Sequence, residues 1–228
     1  MTNHKLLYHC EIVDLREVRP KKISYDANLS RFDSFWRTLY EHTEHRGSLL
    51  VLARNYYQQN ELLPFAYDIM AQILSRTHFM LKNIIIVHRE FQTTSSKLLA
   101  FGHFLVLYFV KSIDSYYFDK DAIRQQHIFR KIEWGRRTRG KSGYGNKRSN
   151  RYSKKGRDPG NVFYTAIRDR RTGQILTIQT ISDAELFQRL ISVSTRTGGL
   201  IASNIKATTF RKLAKSLGRK FALLEEIK

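Results

Sequence analysis

The stretch from Phe32 to Ala53, FDSFWRTLYEHTEHRGSLLVLA, decides the fold class. Phe32, Phe35, Trp36, Leu39 and Tyr40 fall at i, i+3, i+4, i+7 and i+8, one apolar face of a helix over residues 32–44. Gly47 ends that pattern. Ser48–Ala53 (SLLVLA) is then a continuous apolar run of strand length, as in a sheet buried on both faces. A helix that hands the chain to a doubly covered strand is the repeating unit of an α/β domain.

The alternation continues in both directions. Leu6–Val13 (LLYHCEIV) reads as a first strand, followed by a charged, irregular stretch, Glu17–Ser30, with Pro20. Leu62, Phe65, Ala66, Ile69, Met70, Ile73 and Leu74 give the strongest helical period, within residues 60–77. Lys82–His88 (KNIIIVH) and Leu105–Lys111 (LVLYFVK) read as strands, and Tyr116–Phe118 as a short one. Arg89–Lys97 reads as a loop, and Asp119–Arg130 as a polar helical or irregular lead. Further on, Asn161–Arg168 reads as an edge strand and Arg170–Gly173 as a turn. Ser182–Glu185 (SDAE) is a capping box, with Ser182 as N-cap and Glu185 at N3. It opens a helix whose buried face is Leu186, Phe187, Leu190, Ile191 and Val193. Gly198 and Gly199 precede a strand, Leu200–Ser203; then come a helix, Thr208–Leu217, Gly218, and a strand, Phe221–Leu224. The expectation is one α/β domain over residues 1–228, a mostly parallel sheet with helices on both faces.

One segment breaks the pattern. Lys131–Gly160 (KIEWGRRTRGKSGYGNKRSNRYSKKGRDPG) holds eleven cations against two acids, +9 of a whole-chain +20. Six glycines interrupt it, and no apolar period runs through it. It reads as a mobile basic arm inserted into the domain, with polyanion contact as its work. The candidate nucleic-acid ligands are Arg136, Arg137, Arg139, Lys141, Lys147, Arg148, Arg151, Lys154, Lys155 and Arg157. Tyr144 and Tyr152 offer stacking surfaces for bases. Without the arm the chain still carries +11, and a pI near 10.2 points to nucleic acid before an anionic membrane.

Other classes are excluded by what is absent. Cys10 is the single cysteine, so there is no internal disulfide and no Cys-rich zinc site. The eight histidines show no metal-ligand spacing. The N-terminal residues lack a secretory apolar core, and Leu98–Val110 is too short for a membrane span. The expected location is intracellular, in the cytoplasm, nucleoid or nucleus, with no membrane partner.

The order of these pieces resembles the amino-group (N6-adenine or N4-cytosine) DNA methyltransferases, in the permuted class whose target-side half precedes its cofactor half. GSLLVLARN (47–55), LKNIIIVHRE (81–90), GHFLVLYFVKS (102–112) and YYFDKDAIR (116–124) look like strands and leads of the target side. KKGRDPGNVFY (154–164) looks like the end of the DNA-facing loop, AELFQRLISVSTRTGG (184–199) like the helix before the cofactor strand. LGRKFALLE (217–225) looks like the second cofactor strand, whose terminal acid, Glu225, would hold the ribose of S-adenosylmethionine. The resemblance implies a permuted, Rossmann-like methyltransferase fold and DNA, more than RNA, as the nucleic acid.

Two motifs depart from the family. Its catalytic tetrapeptide, Asp/Asn/Ser-Pro-Pro-aromatic, positions the target amino group and stacks on the flipped base. Between the first strand and the Phe32 helix stands REVRPKKISYDANLSRFD, with one proline; Tyr25, Asp26 and Asn28 are the nearest substitutes. The glycine-rich cofactor turn is replaced by GGLIASNIKATT (198–209), where Lys206 sets a positive charge in the place of a sulfonium. The expectation is a catalytically degenerate protein with no cofactor that binds nucleic acid and supports an active methyltransferase subunit. Two alternatives stay open: an active S-adenosylmethionine-dependent enzyme with a divergent site, and a general basic RNA- or DNA-binding protein.

Overall fold

The computed structural model describes residues 7–19, 25–90, 97–125, 155–168, 175–205 and 208–224. In chain order the elements are β1 (Tyr8–Asp14), α1 (Tyr25–Ser30), α2 (Asp33–His42), β2 (Thr43–Ala53), β3 (Tyr56–Gln58), β4 (Glu61–Leu63), α3 (Phe65–Arg76), β5 (Met80–His88) and β6 (His103–Val110). There follow a 3-10 turn (Lys120–Ile123), β7 (Val162–Phe163), β8 (Thr165–Arg168), β9 (Ile175–Gln179), α4 (Asp183–Ser194), β10 (Leu200–Ser203), α5 (Thr208–Ser216) and β11 (Lys220–Leu223).

Seven strands form one sheet in the order β11-β10-β1-β2-β6-β5-β7. β11, β10, β1 and β2 run parallel, β6 is antiparallel to both β2 and β5, and β7 is parallel to β5. The apolar run at the end of β2 divides by alternation. Leu50 and Leu52, with Cys10, Ile12, Val106 and Tyr108, face the core under α4 and α5, where Leu186, Leu190, Phe210 and Ala214 close it. Leu49, Val51 and Ala53, with Val13, Leu107 and Phe109, face Trp36 and Leu39 of α2 and Phe65, Ile69 and Ile73 of α3. Helices therefore cover both faces, which is why the strand shows no polar period. Among the described residues, no helix is long and apolar enough to cross a membrane, and no cluster of three or more His, Cys, Asp or Glu could hold a metal.

The structure corrects five local expectations. Part of the stretch read as irregular is helical, α1, and Gly47 does not end a helix: α2 stops at His42 and β2 already begins at Thr43, with Gly47 inside it. Residues 60–64 are not helical: β3 and β4 form a hairpin whose turn residues, Gln59 and Asn60, take φ of 52° and 63°. Leu62 fits the helical period by coincidence and is exposed; Pro64, which lacks an N–H, marks the start of α3. Tyr116–Phe118 is not a strand; Tyr116 and Phe118 pack their rings on Tyr108. The segment read as a single edge strand is split: β7 joins the main sheet, and β8 leaves it to pair with β9. The turn expected at Arg170–Gly173 lies outside the described residues.

Glu11 is the one charged residue in the described core, fully buried in the middle of β1. Thr43 Oγ1 donates to its Oε2 at 2.8 Å. Burial pushes its carboxyl well above the usual value, against the pull of Thr43 and of the Lys111 ammonium. The unfolded chain therefore releases this proton first as pH rises. The stability tied to it is complete below about pH 4.3 and is lost as pH climbs through the folded value. Glu11→Gln should match the wild type near pH 4 and exceed it at pH 8 in urea denaturation; a variant weaker at pH 8 would mean that the pairing with Lys111 outweighs desolvation.

Candidate functional site

The chain winds away from the sheet centre in two directions. From β1 it crosses through α1 and α2 to β2; from β10 it crosses through α5 to β11 on the other side. The loops therefore part at the carboxyl ends of β1 and β10, where open α/β sheets place their ligand crevice. Asp14 ends β1, and Ser203–Ile205 leaves β10.

Side chains stitch this crevice together. The Asp14 amide donates to Asn204 Oδ1 at 2.8 Å, and Asn204 Nδ2 donates back to the Asp14 carbonyl at 3.0 Å. Ser203 Oγ donates to the Ile12 carbonyl at 2.6 Å and accepts from the Ile205 amide at 3.2 Å. Leu15, fully buried, follows Asp14 and extends the pairing with β2 through Leu52. The next residue, Arg16, folds back. Its Nε donates to Asp14 Oδ1 at 2.9 Å and one terminal nitrogen to Asp14 Oδ2 at 2.7 Å. Its other contacts are the two oxygens of Asp183, at 2.8 and 3.0 Å, in the first turn of α4. Arg89, just past β5, reaches the same Asp183 at 3.0 Å. The Arg16 guanidinium carbon lies 5.0 Å from the Phe104 ring centre and 5.8 Å from that of Phe187. Two guanidiniums and two carboxylates thus form a neutral network over an aromatic floor.

Burial opposes the Arg16 charge, but hydrogen bonds from Asp14 and Asp183 more than offset it, so the guanidinium holds its proton more firmly than usual. Asp183 is likewise partly desolvated, yet Arg16 and Arg89 keep its carboxyl below the ordinary range.

The residues singled out in the sequence lie elsewhere. Tyr25, on α1, donates its hydroxyl to Asp68 of α3, and burial together with Asp68 raises its pKa. Asp26 is exposed. The side chain of Asn28 and all of Glu225 and Lys206 lie outside the described residues, as do Arg136, Arg137, Arg139, Lys141, Lys147, Arg148, Arg151 and Lys154. Lys155 and Arg157 are described and bond to Asp121 and Gln125. Sequence reasoning missed Asp14, Arg16, Asp183 and Asn204. An acid in the last position of a strand was the available signal for the first. A cavity of about 230 Å³ lined by His9, Glu44, Tyr117, Thr195 and Arg196 sits at the opposite, amino ends of β1 and β10.

A family model described as DNA methylase, of the N6/N4 type, matches residues 17–226. Among solved structures, a Thermus thermophilus protein described as a DNA modification methylase superposes with a TM-score of 0.63 at 14% identity, over 97% of this chain and 82% of that one. The same protein complexed with S-adenosyl-L-methionine gives 0.62 at 14% identity, over 96% and 80%. The PvuII cytosine-N4-specific DNA methyltransferase gives 0.64 at 12% identity, over 96% and 74%. No curated protein sequence matches. At such identities the likeness is one of fold.

Truncating Arg16 should leave Asp14 and Asp183 facing each other without a shared cation. Arg16→Ala is expected to lower unfolding free energy by about 2–4 kcal/mol in urea, with Arg16→Lys recovering only part, since an ammonium cannot pair bidentately with both carboxylates. A change below about 0.5 kcal/mol would mean the network contributes nothing to the fold.

Proposed function

Given that this chain belongs to the N6/N4 DNA methylase family, we propose that it is a member that has lost methyl transfer, keeps a hold on DNA, and supports an active methyltransferase subunit. The observation that carries the reading is Arg16, locked between Asp14 and Asp183 in the crevice. The tetrapeptide leaving β1 is Asp14-Leu15-Arg16-Glu17. It opens with an acid, as the family motif does, but leucine and arginine replace the two prolines and glutamate replaces the aromatic. Asp14 would have to present its carboxylate to a target amino group; here both its oxygens are taken by Arg16. Glu17 offers no ring on which a flipped base could stack.

The residues present do not fit S-adenosylmethionine. Its sulfonium is a cation, and the carboxylates of this crevice that could face it, Asp14 and Asp183, are already paired with Arg16. The turn after β10 is closed by Ser203 and Asn204 side chains bonded to β1, where a cofactor turn needs bare backbone approachable by ligand. The charge supports retained DNA contact: +20 overall, with +9 in the arm. A strongly basic chain with a closed reaction centre suits a subunit that supplies substrate contact while its mate supplies chemistry.

The purified chain should bind no S-adenosylmethionine by calorimetry up to millimolar ligand and should transfer no labelled methyl group to DNA. Cofactor-dependent labelling that Asp14→Ala abolishes would overturn the reading in favour of an active enzyme with a divergent site. Affinity capture at native salt should retain a second methyltransferase chain; recovery of bulk RNA with no such chain would favour a general nucleic-acid binder.

A further inference from the structure

The arm of residues 131–160 leaves and rejoins the domain at a junction that is itself well built. On the outgoing side, Asp119 caps the 3-10 turn through its Oδ1, which accepts from the amides of Asp121 and Ala122 at 3.0 and 3.2 Å. The Asp119 amide donates to the Val193 carbonyl of α4 at 2.9 Å, and Ile123 is buried in the α4 core. On the returning side, Asn161 is fastened to β5: Ile86 N donates to its carbonyl at 2.8 Å, and its Nδ2 donates to the Ile84 carbonyl at 3.1 Å. Between these anchors the strands meet. Gln125 and Arg157 exchange both backbone bonds, at 3.2 and 2.8 Å. Gly156, buried with φ of 106°, lies so close under Gln125 that a Cβ would overlap its carbonyl.

Side chains repeat the join. Lys120 reaches Asp158 at 2.6 Å, and Asp121 receives both Arg124, at 2.5 Å, and Lys155. Arg124 also donates to the Gly156 carbonyl at 3.0 Å, and Arg157 to the Gln125 side chain. Such exposed ion pairs are individually weak and screened by salt. The backbone exchange, the seat of Gly156 and the burial of Ile123 are not.

We propose that these residues form a rigid neck that fixes the two roots of the arm, and that Lys120, Arg124, Lys155 and Arg157 are positioning residues rather than phosphate ligands. Polyanion contact is thereby left to the nine cations from Lys131 to Lys154. This rests on the reading above that the arm grips nucleic acid, and it removes Lys155 and Arg157 from the expected ligands. The physical ground is counterion release. A cation that stays with its protein carboxylate or carbonyl when the complex forms takes no phosphate and adds nothing to the salt dependence, whereas each cation that takes a phosphate steepens the log–log slope by about 0.9 on duplex DNA.

The test uses the full chain and a mixed-sequence DNA duplex, with fluorescence anisotropy read from about 50 to 200 mM salt. Lys155→Gln and Arg157→Gln should each weaken binding several-fold while leaving the slope unchanged, and Lys155→Arg should restore affinity. Replacing Arg136, Arg137, Arg139 and Lys141 with Ala should flatten the slope by up to about 3.6. A slope reduced by about 0.9 in each of the two Gln variants would overturn the proposal by making them phosphate ligands. Hydrogen exchange on the DNA-free protein probes the neck itself. The Gln125 and Arg157 amides should be protected and lose protection in Gly156→Val; fast exchange in the wild type would sink the neck. Salt-independent binding by the wild type would instead reject the polyanion reading, and the exchange result would still decide the neck.

Discussion

Parallel pairing of β1 with strands on both of its sides is the constraint on which the remaining structure depends. Cys10, Glu11 and Ile12 are paired with β10 and β2 at once. A strand so placed has no edge, so its side chains must divide between two cores, and each core needs its own helices. The division fixes which helix lies where: α4 and α5 over Cys10 and Ile12, α2 and α3 over Val13. It also buries Glu11 completely, a burden that Thr43 and Lys111 relieve in part. Finally, it creates the crevice, because the two neighbours of β1 are reached by crossovers that run in opposite directions.

The contents of that crevice follow from charge physics. Arginine tolerates partial burial because its guanidinium is weakly hydrated, planar and able to chelate two carboxylates at once. Phe104 and Phe187 lie near its faces, which suits a cation over aromatic quadrupoles. Asp183 gains in turn from the first turn of α4, where a negative charge meets exposed amides. Each member is therefore better satisfied inside the network than alone. Removing the network from the crevice would require two carboxylates and two guanidiniums to find new partners or water together.

Legibility in the sequence followed the range of the forces involved. Phe32–Ala53 was readable because helix face and strand run are local patterns, and burial then enforced them. Residues 60–64 misled because Leu62 sits at a helical spacing from Phe65 and Ala66, while the hairpin turn uses Gln59 and Asn60 rather than a glycine. The SDAE box was half right. Ser182 Oγ accepts from the Glu185 amide at 3.2 Å, but the Glu185 carboxylate goes to Arg189. The crevice was hidden for another reason. Asp14 and Arg16 are two residues apart, but Asp183 lies 167 residues beyond Arg16, and no local period announces a contact at that separation. Asp14 belongs by its pattern to the apolar strand, so the acid that ends β1 does not stand out from the charged stretch that follows it.

The chain has twenty acids for forty lysines and arginines, and where they stand is informative. In the crevice, Asp14 and Asp183 meet Arg16 and Arg89; at the root of the arm, Asp121 and Asp158 meet Arg124, Lys155 and Lys120. Acids are thus present where cations must be held in fixed geometry, and the arm between those roots has almost none. The field that would draw in a polyanion therefore arises mainly outside the crevice, over distances set by a Debye length of about 8 Å at physiological salt. Closing the crevice removes no net charge from that field, because the closure is itself neutral. A reaction centre and a nucleic-acid surface are for this reason separable in such a fold: one depends on a few matched charges in a half-buried crevice, the other on unmatched charges in water.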